Sequence, residues 1–189
     1  MSADGAGPAE GRGARLLAIA RTTLAAHFGG PSPARPAGEP WLDEPRAVFV
    51  TLKSSGDLRG CVGQLSARFP LFEAVCEAAR SAAFRDSRFF PLQAGELAAV
   101  SLEVSVLTPL EPLEVGSEEE LLTKLRPGID GVVLTHELRS GLFIPEMWKQ
   151  LPDPREFVFQ LKRKARFPVS GWLPGTKVER FTAEHWEEP

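Results

Sequence analysis

Ala47-Val48-Phe49-Val50-Thr51-Leu52-Lys53 is followed by Ser54-Ser55-Gly56-Asp57 and then by Leu58-Arg59-Gly60-Cys61-Val62-Gly63-Gln64-Leu65. The first run sets Val48, Val50 and Leu52 against Phe49, Thr51 and Lys53, the period-two pattern of a half-buried strand. The polar, glycine-containing tetrad after it is a turn, so the second run returns as the other arm of a hairpin. A hairpin makes an antiparallel pair without a crossover helix, and the rest of the chain keeps that character.

Upstream, Arg12 to Phe28 reads as an amphipathic helix with Leu16, Leu17, Ala20, Leu24, His27 and Phe28 on one side. Gly29-Gly30-Pro31 ends it, and the prolines up to Pro45 make the next stretch an extended connection. Residues 1–11 are expected to form a disordered leader. Downstream, Pro70 suits the first turn of a helix running to about Arg85, with Leu71, Val75, Ala78, Ala79 and Ala82 on its buried stripe. Ala98 to Leu107 is the clearest strand, Val100, Leu102, Val104 and Val106 on one face and Ser101, Glu103 and Ser105 on the other. Ser117-Glu118-Glu119-Glu120 and Asp153-Pro154-Arg155-Glu156 are helix N-terminal signatures. Gly131 to Thr135 and Leu142 to Ile144 form a second hairpin, and Val178 to Phe181 a last strand. Strands and helices mix without regular βαβ alternation. The expected fold is α+β, a largely antiparallel sheet flanked by helices.

Composition narrows the function classes. With 22 basic against 25 acidic residues the formal charge is −3, which argues against a chain built to neutralise nucleic-acid phosphates. No run approaches the roughly 18 apolar residues of a membrane span. Met1 to Arg15 lacks the apolar core of a secretion signal, and two cysteines, Cys61 and Cys76, are too few for a disulfide scaffold. The expectation is a cytoplasmic chain with free thiols.

The chemistry-bearing residues gather around the first hairpin. In a regular strand Arg59, Cys61 and Gly63 project to one face and Gly60 and Val62 to the other. A guanidinium beside a thiol favours the thiolate, and glycines at positions 60 and 63 admit close approach of a ligand or another backbone. A small buried cysteine in a glycine-bent strand is the bland alternative. Glu103, flanked by Ser101 and Ser105, needs solvent or a partner: exposure on the open face of the sheet is one reading, a position in a cleft near Arg59 the other. Asp86, at the helix end Arg85-Asp86-Ser87-Arg88, reads first as part of helix termination, with orientation of Arg59 as its functional alternative. Cys76 lies on the apolar stripe and reads as packing. The three histidines are far apart in sequence, with no HExxH or Cys/His pairing, so no metal set is expected.

Leu58 to Gly63 resembles the signature of the AMME-syndrome candidate protein (AMMECR-type) family, whose prokaryotic members are called AmmeMemoRadiSam system protein A. The resemblance extends to Val48–Leu52, Ser81–Asp86 with Arg88-Phe89, Glu103–Leu107, Gly141–Pro145 and Phe157–Ala165 with Trp172, and covers about Arg12 to Phe181. It implies a single domain over 12–189, made of a larger and a smaller subdomain, with the Arg-Gly-Cys motif lining a cleft. It also implies Memo-type and radical SAM proteins as partners in a modification pathway. It supplies no reaction. After Pro145 the family often has Gln where this chain has Glu146. The functional classes in play are an enzyme component with Cys61 as candidate thiolate, assisted by Arg59 and Glu103, or a non-catalytic module binding a small anion or peptide. Gly60, Gly63, Asp86 and Ser105 would contribute to the ligand site.

Overall fold

The computed structural model describes residues 9–189, so the leader expected at 1–11 lies outside the described residues over its first eight positions. Helix α1 spans Ala9–His27 and is followed by the hairpin β1 (Ala47–Ser54) and β2 (Asp57–Gln64), α2 (Leu71–Phe84) and β3 (Val100–Leu107). Then come β4 (Glu111–Pro112), α3 (Glu118–Lys124), β5 (Gly131–His136), β6 (Arg139–Phe143), α4 (Pro154–Lys164), β7 (Lys177–Phe181) and β8 (Ala183–Glu187). The α+β expectation holds: two four-stranded sheets, ordered β2-β1-β3-β8 and β4-β7-β5-β6, with antiparallel pairing in every registered ladder. The chain divides into two compact units, one up to Leu107 together with Glu184–Pro189, the other Thr108–Ala183.

In the first unit, Val48, Val50 and Leu52 of β1 and Val100, Leu102 and Val104 of β3 are buried on one face of the sheet. They join Leu16, Ala20 and Leu24 of α1 and Val75, Ala79 and Ala82 of α2 in a single core. The hairpin turns on Ser55 (φ 53°) and Gly56 (φ 87°), the left-handed pair a two-residue turn requires to match strand twist. Helix α2 approaches β2 so closely that a Cβ on Gly60 would stand 2.2 Å from the Ala82 carbonyl oxygen. Glycine at position 60 therefore sets the depth at which the helix seats.

The second unit packs Phe157, Val158 and Leu161 of α4 against Val132, Leu134 and Val178, with Trp148 stacked 3.8 Å from the Phe157 ring. Ser117 and Asp153 cap α3 and α4 by accepting the N–H groups of Glu120 and Glu156. The Glu120 carboxylate reaches the Gly116 N–H, one residue short of the reciprocal bond the sequence signature anticipates. Lys162, fully buried, donates to Glu118, Val169 and Gly171 and so ties α4 to α3 and to the loop after it. The second hairpin is tighter than expected, with only Glu137 and Leu138 between β5 and β6. Arg139 and Ser140 are exposed strand residues, and their polarity hides the pairing that their backbone makes with His136 and Thr135.

Replacing Gly60 by Ala drives a methyl group into backbone rather than into a movable side chain. The expected loss is about 1–3 kcal/mol of stability, the usual range for overpacking, read as a lowered urea midpoint at unchanged slope.

Candidate functional site

The face of the first sheet opposite its core is polar. Along one rung, Cys61 of β2 pairs with Thr51 of β1, and Thr51 pairs in turn with Glu103 of β3. The Thr51 hydroxyl donates to Cys61 Sγ at 3.2 Å. Lys53 Nζ lies 3.0 Å from Glu103 and 2.7 Å from Glu187. The Glu187 hydrogen bond, reinforced by Glu103 against partial burial, raises the ammonium above its ordinary pKa. His185 of β8 joins the same face, with Nδ1 2.8 Å from Ser105 Oγ and 3.9 Å from Glu103. Ser105 is buried, and its hydroxyl also stands 3.5 Å from Glu103, so it can relay a proton between imidazole and carboxylate. Both contacts fall on the same ring nitrogen, so Glu103 does not hold His185 from the opposite side as the acid of a hydrolytic triad does.

Cys61 is held by its backbone. Strand β2 is the edge of its sheet, and the N–H and C=O of Cys61 point outward. Asp86 accepts the N–H at 2.9 Å and Arg88 donates to the carbonyl at 3.1 Å. Asp86 also takes the Arg88 N–H at 3.1 Å, its Nε at 2.9 Å and its Nη2 at 2.6 Å. The Arg88 guanidinium, aided by the two backbone N–H groups and opposed by burial, holds the Asp86 carboxyl far below the usual carboxylate range. The same pairing raises Arg88.

Arg59 does not follow the regular alternation. Lys53 pairs with Leu58 and Leu52 with Gly60, leaving Arg59 as the extra residue of a β-bulge. Its guanidinium makes a two-point ion pair with Glu96, Nε to Oε1 at 2.9 Å and Nη2 to Oε2 at 3.0 Å. That bond pulls the Glu96 carboxyl down. Two sequence expectations are thereby corrected: Arg59 and Glu103 do not meet, Arg59 facing Glu96 and Glu103 pairing with Lys53, and Asp86 grips Cys61 and Arg88 instead of Arg59. The close approach expected at the two glycines is made by protein atoms. Gly60 faces the Ala82 carbonyl, and the Phe49 ring occupies the space where a Cβ on Gly63 would stand, 2.4 Å away.

Beside the bulge lies a groove of about 390 Å³, lined among others by Arg59, Arg88, Phe89, Phe90 and Glu96, with Phe90 89% exposed. Cys76 is buried on α2, and burial raises its thiol pKa. Thr51, Lys53, Glu96 and His185 were not singled out in the sequence. Thr51 and Lys53 carried a signal, the polar side of an alternating strand; Glu96 and His185 carried none.

The family model for AMMECR1 matches residues 17–186. The chain belongs to the AMMECR1 family. A protein of Methanothermobacter thermautotrophicus is 39% identical over 180 residues, 93% of this chain and 94% of its own length. One from Thermococcus gammatolerans is 44% identical over 158 residues, 79% of this chain and 76% of its own length. The crystal structure of the uncharacterized protein PH0010 from Pyrococcus horikoshii matches with a TM-score of 0.77 at 36% identity, covering 93% of this chain and 91% of that one. Among the described residues of this AMMECR1 chain, no helix is long and apolar enough to cross a membrane.

The Asp86 clamp has a defined pH signature. A carboxyl depressed on folding stabilises the fold fully above its unfolded pKa of about 3.9 and loses that contribution as the pH falls towards the folded value. Urea unfolding between pH 7 and pH 3 is expected to show wild-type stability falling below about pH 4. Asp86→Asn should be less stable at pH 7 and lose less on acidification.

Proposed function

We propose that this AMMECR1 protein is a component of a modification pathway that works with Memo-type and radical SAM proteins, with Cys61 on the polar sheet face as its working thiol. The observation that carries the reading is the grip on Cys61: one buried carboxylate and its arginine fix both backbone groups of that residue, which is only partly buried. Cys76, by contrast, is buried within α2 in the core of the first unit. Thr51, Lys53, Glu103 and Ser105 then supply donors and a carboxylate on the same face for a bound substrate, and Ser105 with His185 supplies a route for a proton. Arg59, Gly60 and Gly63 shape the strand that presents the thiol. The setting proposed for this chemistry is the cytoplasm.

A second reading, a non-catalytic module for a small anion or peptide, is favoured by the groove with the exposed Phe90 beside Arg59 and Arg88. Arg59 Nη1 is buried without a hydrogen-bond partner, a guanidinium edge that Glu96 leaves unmet.

Two measurements separate the readings. Iodoacetamide at neutral pH is expected to label Cys61 in the native protein and Cys76 only after unfolding, because the second thiol is buried with a raised pKa. Cys61→Ser, folded by circular dichroism, is expected to fail to complement a deletion strain. If it complements while Phe90→Ala or Arg59→Ala does not, the thiol reading falls and the binding module stands.

A further inference from the structure

The second unit carries a cleft of its own, of about 380 Å³, lined by Thr108, Glu111, Arg126, Arg180, Phe181 and Thr182. That size suits a small ligand. Arg126 is fixed in place: its backbone N–H and Nε donate to the fully buried Asp130 at 2.9 and 3.0 Å, and Nη2 at 2.5 Å. Its side chain nonetheless stays 47% exposed, so the guanidinium is oriented before anything binds. Arg180 comes from β7, in the centre of the pairing between β4 and β5. Its Nε is buried and has no hydrogen bond, the Glu111 carboxylate standing off at 3.5 Å. Glu111 is itself 65% exposed, so solvent weakens its hold on that arginine. Also in the lining, the Thr108 hydroxyl oxygen accepts the Thr182 N–H at 2.9 Å, which leaves its own proton to donate.

From this arrangement we infer that the cleft is a binding site for a small oxyanion, the phosphate or carboxylate group of a metabolite. Arg126 and Arg180 hold its charge, and the hydroxyls of Thr108 and Thr182 donate to its remaining oxygens. Two guanidiniums with a fixed fork match the planar edge of a carboxylate or two phosphate oxygens. Glu111, 3.5 Å from Arg180, gives way to the ligand when it binds. The inference does not depend on the function proposed for the thiol-bearing sheet.

The test is a titration of the full chain with inorganic phosphate and, separately, with succinate at constant ionic strength, following the amide resonances of Thr108 and Thr182 by NMR. Saturable shifts with phosphate alone assign a phosphate ester; with succinate alone, a carboxylate; with both, a general oxyanion site. Arg180→Gln should weaken binding about tenfold, the effect of one lost charge-assisted hydrogen bond, while Arg139→Gln, exposed on β6, should leave it unchanged. Glu111→Gln removes the competing carboxylate and should tighten binding about two- to fivefold, a gain that misfolding cannot mimic. The inference is overturned by the absence of saturable shifts up to about 20 mM of either anion, or by Arg180→Gln and Glu111→Gln both titrating as wild type.

Discussion

The Asp86 carboxylate decides how the first sheet ends. Strand β2 is an edge, and an edge strand offers unpaired N–H and C=O groups that must find partners or invite another chain. At Cys61 those groups go to Asp86 and Arg88, which stand just beyond the C-terminus of α2. The position of that helix is set in turn by the Ala82 carbonyl resting against Gly60. Helix depth, edge protection and presentation of the thiol are thus one mechanical arrangement. The Asp-Ser-Arg sequence that ends the helix is part of the sheet's hydrogen bonding as much as a helix stop.

The bulge at Arg59 follows from the same crowding. Leu58 must meet Lys53 beside a tight left-handed turn, while Gly60 must meet Leu52 under α2. One extra residue absorbs the mismatch, and the bulge turns Arg59 towards Glu96 instead of along the Cys61 rung. A two-residue periodicity cannot show this, since one inserted residue reverses the face of everything on its far side.

What was legible in the sequence was whatever local pattern and apolar periodicity determine. The Val48–Leu52 and Val100–Val106 alternations, the cap residues Ser117 and Asp153, and the Ser-Gly turn all act over a few residues, and each took its expected place. Strand β8 did not declare itself. Ala183 to Glu187 has no apolar alternation, and its neighbourhood is secured by distant polar partners: Glu187 by Lys53, and Glu188 by Arg21 and the Leu102 N–H. His185 reaches Ser105 through that strand, 80 residues away in sequence. The site's residue types could be read, but their pairing depended on contacts that only the fold brings together.

Arg59–Glu96 and Arg88–Asp86 look alike as sequence features and differ in what they can exchange. The Asp86 side chain is 6% exposed and also carries the Cys61 and Arg88 backbone N–H groups, so displacing it would strip several buried donors at once. The Glu96 side chain is 38% exposed, its grip on Arg59 screened by water. Arg59 is thus held by a carboxylate that water screens, while Arg88 is committed to Asp86 and to the Cys61 carbonyl. The two pairs border one groove. A ligand that drew Arg59 away from Glu96 would act on the strand two residues from Cys61, within the bulge, where β2 is least constrained by pairing. Arg59, which lines the groove, and Cys61, on the rung with Thr51 and Glu103, thus share one edge strand and are joined through the bulge.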